Sequence, residues 1–114
     1  MLYIASAFSL SMLQELPATV KVQEITPESA RLLMYSEEWE SCVGHEGTAR
    51  VLSEILATEI RANRKAVKLA EGDGLIVFQL MQRLPEGKVL SEEEVREVVK
   101  SGNWRLLLVT IRGE

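Results

Sequence analysis

The sequence predicts an α/β fold: one compact domain over residues 1–114, a mixed β-sheet flanked by short helices, working as a homodimer. Three observations point there. Short apolar runs suited to strands alternate with segments of helical periodicity. The run Leu75–Met81 is almost wholly apolar, as a central strand covered on both faces would be. A chain of 114 residues that is 46% hydrophobic and 26% charged has the make-up of a single globular domain. Its core is small, so pairing of two copies would bury more surface.

The elements follow in order. Leu2–Ala7 reads as a first buried strand. Ser9 is placed to cap a short helical turn, Leu10–Glu15, which stops before Pro17. Thr19–Ile25 puts Val20 and Val22 on one face of a second strand. Thr26-Pro27-Glu28 is a helix start: an N-cap, a proline at the first helical position, and a carboxylate at the positive end of the dipole. That helix ends near Tyr35. Glu37–Val43 alternates and is predicted as a third strand. Thr48–Ala57 carries an apolar stripe of Val51, Leu52, Ile55 and Leu56 at helical spacing, which is core packing. Ala66–Leu69 and Leu75–Met81 read as two strands joined by the turn Glu71-Gly72-Asp73-Gly74. Ser91 through Glu94 is a capping box opening a helix that runs to Lys100, and Gly102 supplies its stop. Trp104–Ile111 is the last strand.

Composition excludes several classes of function. A net charge of −4 and a pI near 5.1 argue against binding long nucleic acid, which needs a basic surface. A small anionic ligand in a local basic pocket remains compatible. Cys42 is the only cysteine, so no internal disulfide forms, and a reducing, cytoplasmic setting is expected. One cysteine and one histidine make no zinc cluster, and no metal or other cofactor is expected. Met1–Leu13 is apolar, but it has no basic flank and is cut by Ser6, Ser9 and Ser11; it reads as strand and turn, not a signal peptide. No apolar run approaches the roughly 18 residues of a membrane span.

His45, the only histidine, follows Gly44 where an apolar strand hands over to a helix. The first turn of a helix has unpaired N–H groups and a positive dipole end, which together hold phosphate. Histidine is the side chain whose ordinary titration lies near neutrality, so it can give a proton there. Gln79 interrupts the apolar run; it is either a core amide bonded to a nearby loop or a group aimed at a ligand from the end of the sheet. Gln82 through Lys88 sets Arg83, Glu86 and Lys88 on a proline-glycine turn. Arg83 offers a planar donor fork suited to phosphate, and Glu86 either orients a histidine or pairs with Arg83. Arg61 through Lys65 is the densest basic run, either a solvated face or a grip for anionic oxygens. The three early serines make no hydrolase elbow, and Glu38 and Glu40 read as the wet face of a strand.

The segments Ala5–Leu13, Val43–Thr48, Asn63-Arg64 and Gln82–Leu90 together resemble the viral type III anti-CRISPR ring nucleases and their cellular relatives, a family first known as a domain of unknown function from archaeal viruses. The resemblance runs in order from about Tyr3 to Ile111. It implies a homodimer that binds cyclic tetra-adenylate, the second messenger of type III CRISPR systems, across a two-fold axis. It implies metal-independent cleavage to linear products ending in 2′,3′-cyclic phosphate. The position matching His45 is the family's general acid. Those matching Ser9, Arg83 and Glu86 lie in the active site, and those matching Arg64 and Gln79 contact the ligand. Gly44, Ser6 and Ser11 fall on the same binding segments. Family members often carry asparagine where this chain has Ser6 and Ser11, and Glu46-Gly47 replaces a common Asp-Ser. Two other classes compete: a binder that sequesters cyclic oligoadenylate without cutting it, and a small viral DNA-binding dimer. His45 with Arg83 favours the enzyme over the first; the acidic pI speaks against the second.

Overall fold

The computed structural model describes residues 1–82 and 90–113. Among these residues five strands form one mixed sheet: β1 (Leu2–Ala5), β2 (Ala18–Ile25), β3 (Trp39–Ser41), β4 (Gly74–Leu80) and β5 (Trp104–Gly113). Three α-helices join them: α1 (Pro27–Ser36), α2 (Glu46–Leu56) and α3 (Glu92–Ser101). Strand order across the sheet is β2-β5-β4-β1-β3. β1 pairs in parallel with both β3 and β4, while β5 runs antiparallel to β4 and β2. β1, β3 and β4 therefore all end at the same edge of the sheet.

Period-2 alternation sorts the strand side chains onto two faces. On one face Leu2, Ile4, Ile76, Phe78 and Leu106 meet all three helices. The helices contribute Ala30 and Met34 from α1, Ala49, Val51, Leu52, Ile55 and Leu56 from α2, and Val95 and Val98 from α3. On the other face Ala5, Leu75, Val77, Val109 and Ile111 meet no helix. Two irregular segments cover them, supplying Phe8, Met12 and Leu13, then Val67 and Leu69.

Local chemistry sets the helix ends. Thr26 accepts the Ser29 N–H at 3.1 Å, with Pro27 opening α1. Ser91 and Glu94 form the reciprocal capping box of α3, and Gly102 ends it in the left-handed region at φ 69°. α2 starts two residues earlier than its periodicity implies, at Glu46 with His45 as N-cap, and ends at Leu56, with Ala57 at φ 51°.

Several sequence expectations are corrected. The first strand stops at Ala5, because Ser6 and Ala7 turn out to solvent. The helical turn after Ser9 is only Leu10–Met12, a single 3₁₀ turn. It ends there because Leu13 bridges to Leu69, with Leu69 N–H donating to the Met12 carbonyl at 2.7 Å. Ser9 holds the N-cap position but makes no capping bond; its hydroxyl pairs with that of Ser11 at 2.8 Å. The third strand shrinks to Trp39–Ser41. Residues 66–69 form no strand: β4 already has β5 and β1 on its two edges, so Val67 and Leu69 lie over the sheet face instead. Among the described residues no helix is long and apolar enough to cross a membrane.

Leu52 is fully buried on α2, whereas Leu32 on α1 is 70% exposed. Leu52→Ala should lower the unfolding free energy by about 2–5 kcal/mol, and Leu32→Ala should change it by no more than about 0.5 kcal/mol. Urea unfolding followed by tryptophan fluorescence measures both; equal effects would contradict the packing described.

Candidate functional site

The carboxyl ends of neighbouring parallel strands make the crevice in which open α/β sheets bind ligands. Here β1 runs out into Ser6, β3 leads through Cys42 and Val43 to Gly44 and His45, and β4 leads through Met81 to Gln82. The Cys42 N–H donates to the Ile4 carbonyl at 2.7 Å, so the chain stays zipped to β1 until just before His45.

His45 has extended backbone, φ −127° and ψ 133°, and its carbonyl accepts the Ala49 N–H at 3.0 Å. Its imidazole is exposed, makes no capping bond, and has no hydrogen-bond or ion-pair partner among the described residues. It sits at the positive end of α2. An unengaged imidazole beside unpaired helical N–H groups can donate a proton to an oxygen of a bound phosphate.

The basic run folds against this position. Asn63 donates its backbone N–H to the Val43 carbonyl at 2.7 Å and its side-chain Nδ2 to the Ser41 carbonyl at 2.8 Å. The Ser41 hydroxyl, in turn, donates to the Arg61 carbonyl at 2.6 Å. These bonds close the free edge of β3 and bring Arg64 over Gly44: a Cβ on Gly44 would lie 3.7 Å from Arg64 Nε. Arg61 pairs with Glu59 at 3.3 Å and Lys65 with Glu40 at 2.7 Å, whereas Arg64 has no carboxylate partner among the described residues. The hydrogen bond to Glu40 holds the Lys65 ammonium above the ordinary lysine range. Burial, reinforced by the Glu40 charge, pushes the Cys42 thiol up, so it stays protonated and is a packing group rather than a nucleophile.

Ser9 and Ser11 are tied to the same layer. Lys68 Nζ donates to the Ser11 carbonyl at 2.9 Å, fixing the serine turn to the segment that carries Arg64. Ser6 is exposed just beyond β1. Gln79 is not a core amide bonded to a loop: it is half-buried and accepts a hydrogen bond from Arg105 Nε on β5. Arg83 and Glu86 lie outside the described residues. The structure thus lays Arg64 over Gly44, the residue before His45, links Ser9 and Ser11 to the Arg64 segment, and sets Gln79 one strand beyond β1.

Two structural roles escaped the sequence reading. Asn63 stood inside a basic run, and nothing in its spacing revealed that its side-chain amide and backbone N–H would bond the Ser41 and Val43 carbonyls. Arg105 did carry a signal, as the lone charge in the apolar run Trp104–Ile111.

Comparison with known proteins agrees with this architecture. A family model described as STIV B116-like matches residues 2–102. The chain is 36% identical over 110 residues to uncharacterized protein 26 of Sulfolobus islandicus filamentous virus (isolate Iceland/Hveragerdi), covering 96% of this chain and 93% of that one. It is 29% identical over 93 residues to the uncharacterized protein YddF of Bacillus subtilis (strain 168), covering 80% and 86%. Among solved structures, B116 of Sulfolobus turreted icosahedral virus superposes with a TM-score of 0.78 at 29% identity, covering 96% of this chain and 97% of that one. A family match over nearly the whole chain, with the same fold in a solved relative, means that this protein belongs to the STIV B116-like family.

Proposed function

We propose that this protein is a metal-independent ring nuclease that binds and cleaves cyclic tetra-adenylate as a homodimer, switching off the effectors that this messenger activates in type III CRISPR immunity. The observation that carries the reading is the exposed imidazole of His45 at the N-terminus of α2, without a partner among the described residues, with the Arg64 side chain lying over the preceding residue, Gly44.

The chemistry needs little from the protein. The ribose 2′-hydroxyl attacks the adjacent phosphorus, the bond from phosphorus to the 5′-oxygen breaks, and the 2′-proton passes to solvent. The products are a 2′,3′-cyclic phosphate and a 5′-hydroxyl. His45 gives the proton that the leaving 5′-oxygen takes up. The N–H groups at the start of α2 and the Arg64 guanidinium hold negative phosphate oxygens. In the resemblance, Arg83 and Glu86 complete the site, Arg83 neutralising charge on the reacting phosphate. Ser9 stands with Arg83 and Glu86 in the active site that the resemblance implies, and Ser6, Ser11 and Gln79 present polar groups to the rest of the ring. The nucleophile belongs to the substrate, so neither a protein nucleophile nor a metal is required.

A two-fold dimer suits a ring of four equivalent phosphates, presenting one His45 to each of two opposite positions. The helix-free sheet face supports pairing. Val22 on that face is 54% exposed, and Leu10, on the turn that covers it, is 77% exposed. Both are apolar side chains that a second copy would shield from water.

Cleavage of cyclic tetra-adenylate should proceed undiminished in excess chelator; loss of activity that magnesium or manganese restores would overturn the mechanism. Light scattering should give twice the chain mass, and calorimetric titration should saturate at one ring per two chains, whereas one ring per chain would exclude the shared pocket. His45→Ala should slow single-turnover cleavage by about 10²-fold or more while leaving affinity nearly intact, because the leaving oxygen needs its proton only in the transition state. Cys42→Ser should leave that rate unchanged. If His45→Ala cleaves at the wild-type rate, the sequestering reading replaces the enzymatic one.

A further inference from the structure

At the carboxyl end of β4, the helix-free sheet face ends in a polar pair. Gln79 on β4 and Arg105 on β5 are directly opposed in the antiparallel ladder. Below them on the same face the side chains are apolar: Val77 and Leu107, then Leu75 and Val109. Arg105 Nε donates to Gln79 Oε1, and among the described residues Arg105 has no carboxylate partner.

The chemistry of this pair dictates an orientation. A glutamine amide has an acceptor oxygen on one side and two N–H donors on the other, and a free amide flips between them. Arginine has donors only, so the oxygen alone can face it. With Oε1 held by Arg105, the Nε2 donors must point away from β5. The amide then offers N–H groups and one remaining oxygen lone pair at the sheet edge where β1, β3 and β4 end.

We infer that Arg105 is a positioning residue for ligand binding: it locks the Gln79 carboxamide so that its N–H donors face acceptor atoms of the ligand, adenine ring nitrogens or phosphate oxygens. This rests on the proposed function, in which Gln79 touches cyclic tetra-adenylate. Without Arg105 the amide would flip freely and often turn its oxygen toward those acceptors. The cost would fall on binding, because the reacting phosphate meets other groups.

The test compares wild type, Arg105→Met, Arg105→Lys, Gln79→Ala, Gln79→Glu and the double variant Gln79→Ala/Arg105→Met. Each is titrated with cyclic tetra-adenylate and assayed for single-turnover cleavage at saturating ring, with thermal melting to verify folding. Arg105→Met should weaken binding roughly three- to tenfold, the scale of ordering one flexible side chain, with a smaller change in the saturated rate. Arg105→Lys, which keeps a donor, should restore part of the affinity. Gln79→Glu should bind no better than Gln79→Ala, having no donor to offer. In the Gln79→Ala background Arg105→Met should add nothing. Wild-type affinity in Arg105→Met would overturn the positioning role while leaving the functional reading intact. So would losses that multiply in the double variant, which mean that Arg105 acts independently of Gln79. A wild-type protein that does not bind the ring overturns the functional reading, and this inference with it.

Discussion

β4 is hydrogen-bonded along both edges, to β1 and to β5, and four consecutive residues, Leu75–Phe78, are buried. Two consequences follow from that saturation. No further strand can pair with β4, so the segment before it must lie over the sheet, where Val67 and Leu69 become its cover. The parallel pairing of β4 with β1, and of β1 with β3, also aligns three strand ends at one edge. That edge is where the backbone opens into Ser6, Gly44-His45 and Gln82, and the candidate site is a consequence of it.

The two sheet faces differ in what covers them, and the difference separates rigidity from recognition. All three helices pack on one face through buried apolar side chains, so the base of His45 is set by a well-packed α2. The other face is covered by irregular segments held through single contacts: the Leu13–Leu69 bridge, Lys68 on the Ser11 carbonyl, Lys65 on Glu40. Such segments carry polar groups outward at low packing cost, which is where binding residues are commonly found. His45 stands where the strand layer meets α2, its backbone fixed by the helix and its side chain exposed.

Electrostatics at this junction reconcile an acidic chain with the anionic ligand proposed for it. Within the basic run Arg61 and Lys65 pair with Glu59 and Glu40, whereas Arg64, exposed beside Gly44, has no carboxylate partner among the described residues. A net charge of −4 therefore describes the surface as a whole and says little about the pocket. The same economy marks Gln79 and Arg105, where a polar pair caps an apolar face and each side chain restricts what the other can offer.

The sequence alone determined everything that depends on neighbours in the chain. The Ser91–Glu94 capping box, the Thr26-Pro27 start, the stop at Gly102, the α2 stripe and the burial of Leu75–Phe78 are all local patterns, and the structure repeats them. His45 at the head of a helix was legible for the same reason. Only the tertiary structure decided what depends on competition between distant segments. Residues 66–69 have an extended look, yet the edges of β4 were already occupied. Ser9 has the character of a cap, yet Leu13 was drawn toward Leu69 and cut the helix to one turn. The meeting of Arg64 with Gly44 depends on Asn63 bonding to Ser41 and Val43, about twenty residues earlier in the chain. The pairing of Gln79 with Arg105 depends on strand register. Local propensity is written residue by residue, whereas strand edges and side-chain partners are assigned only once the whole sheet has formed.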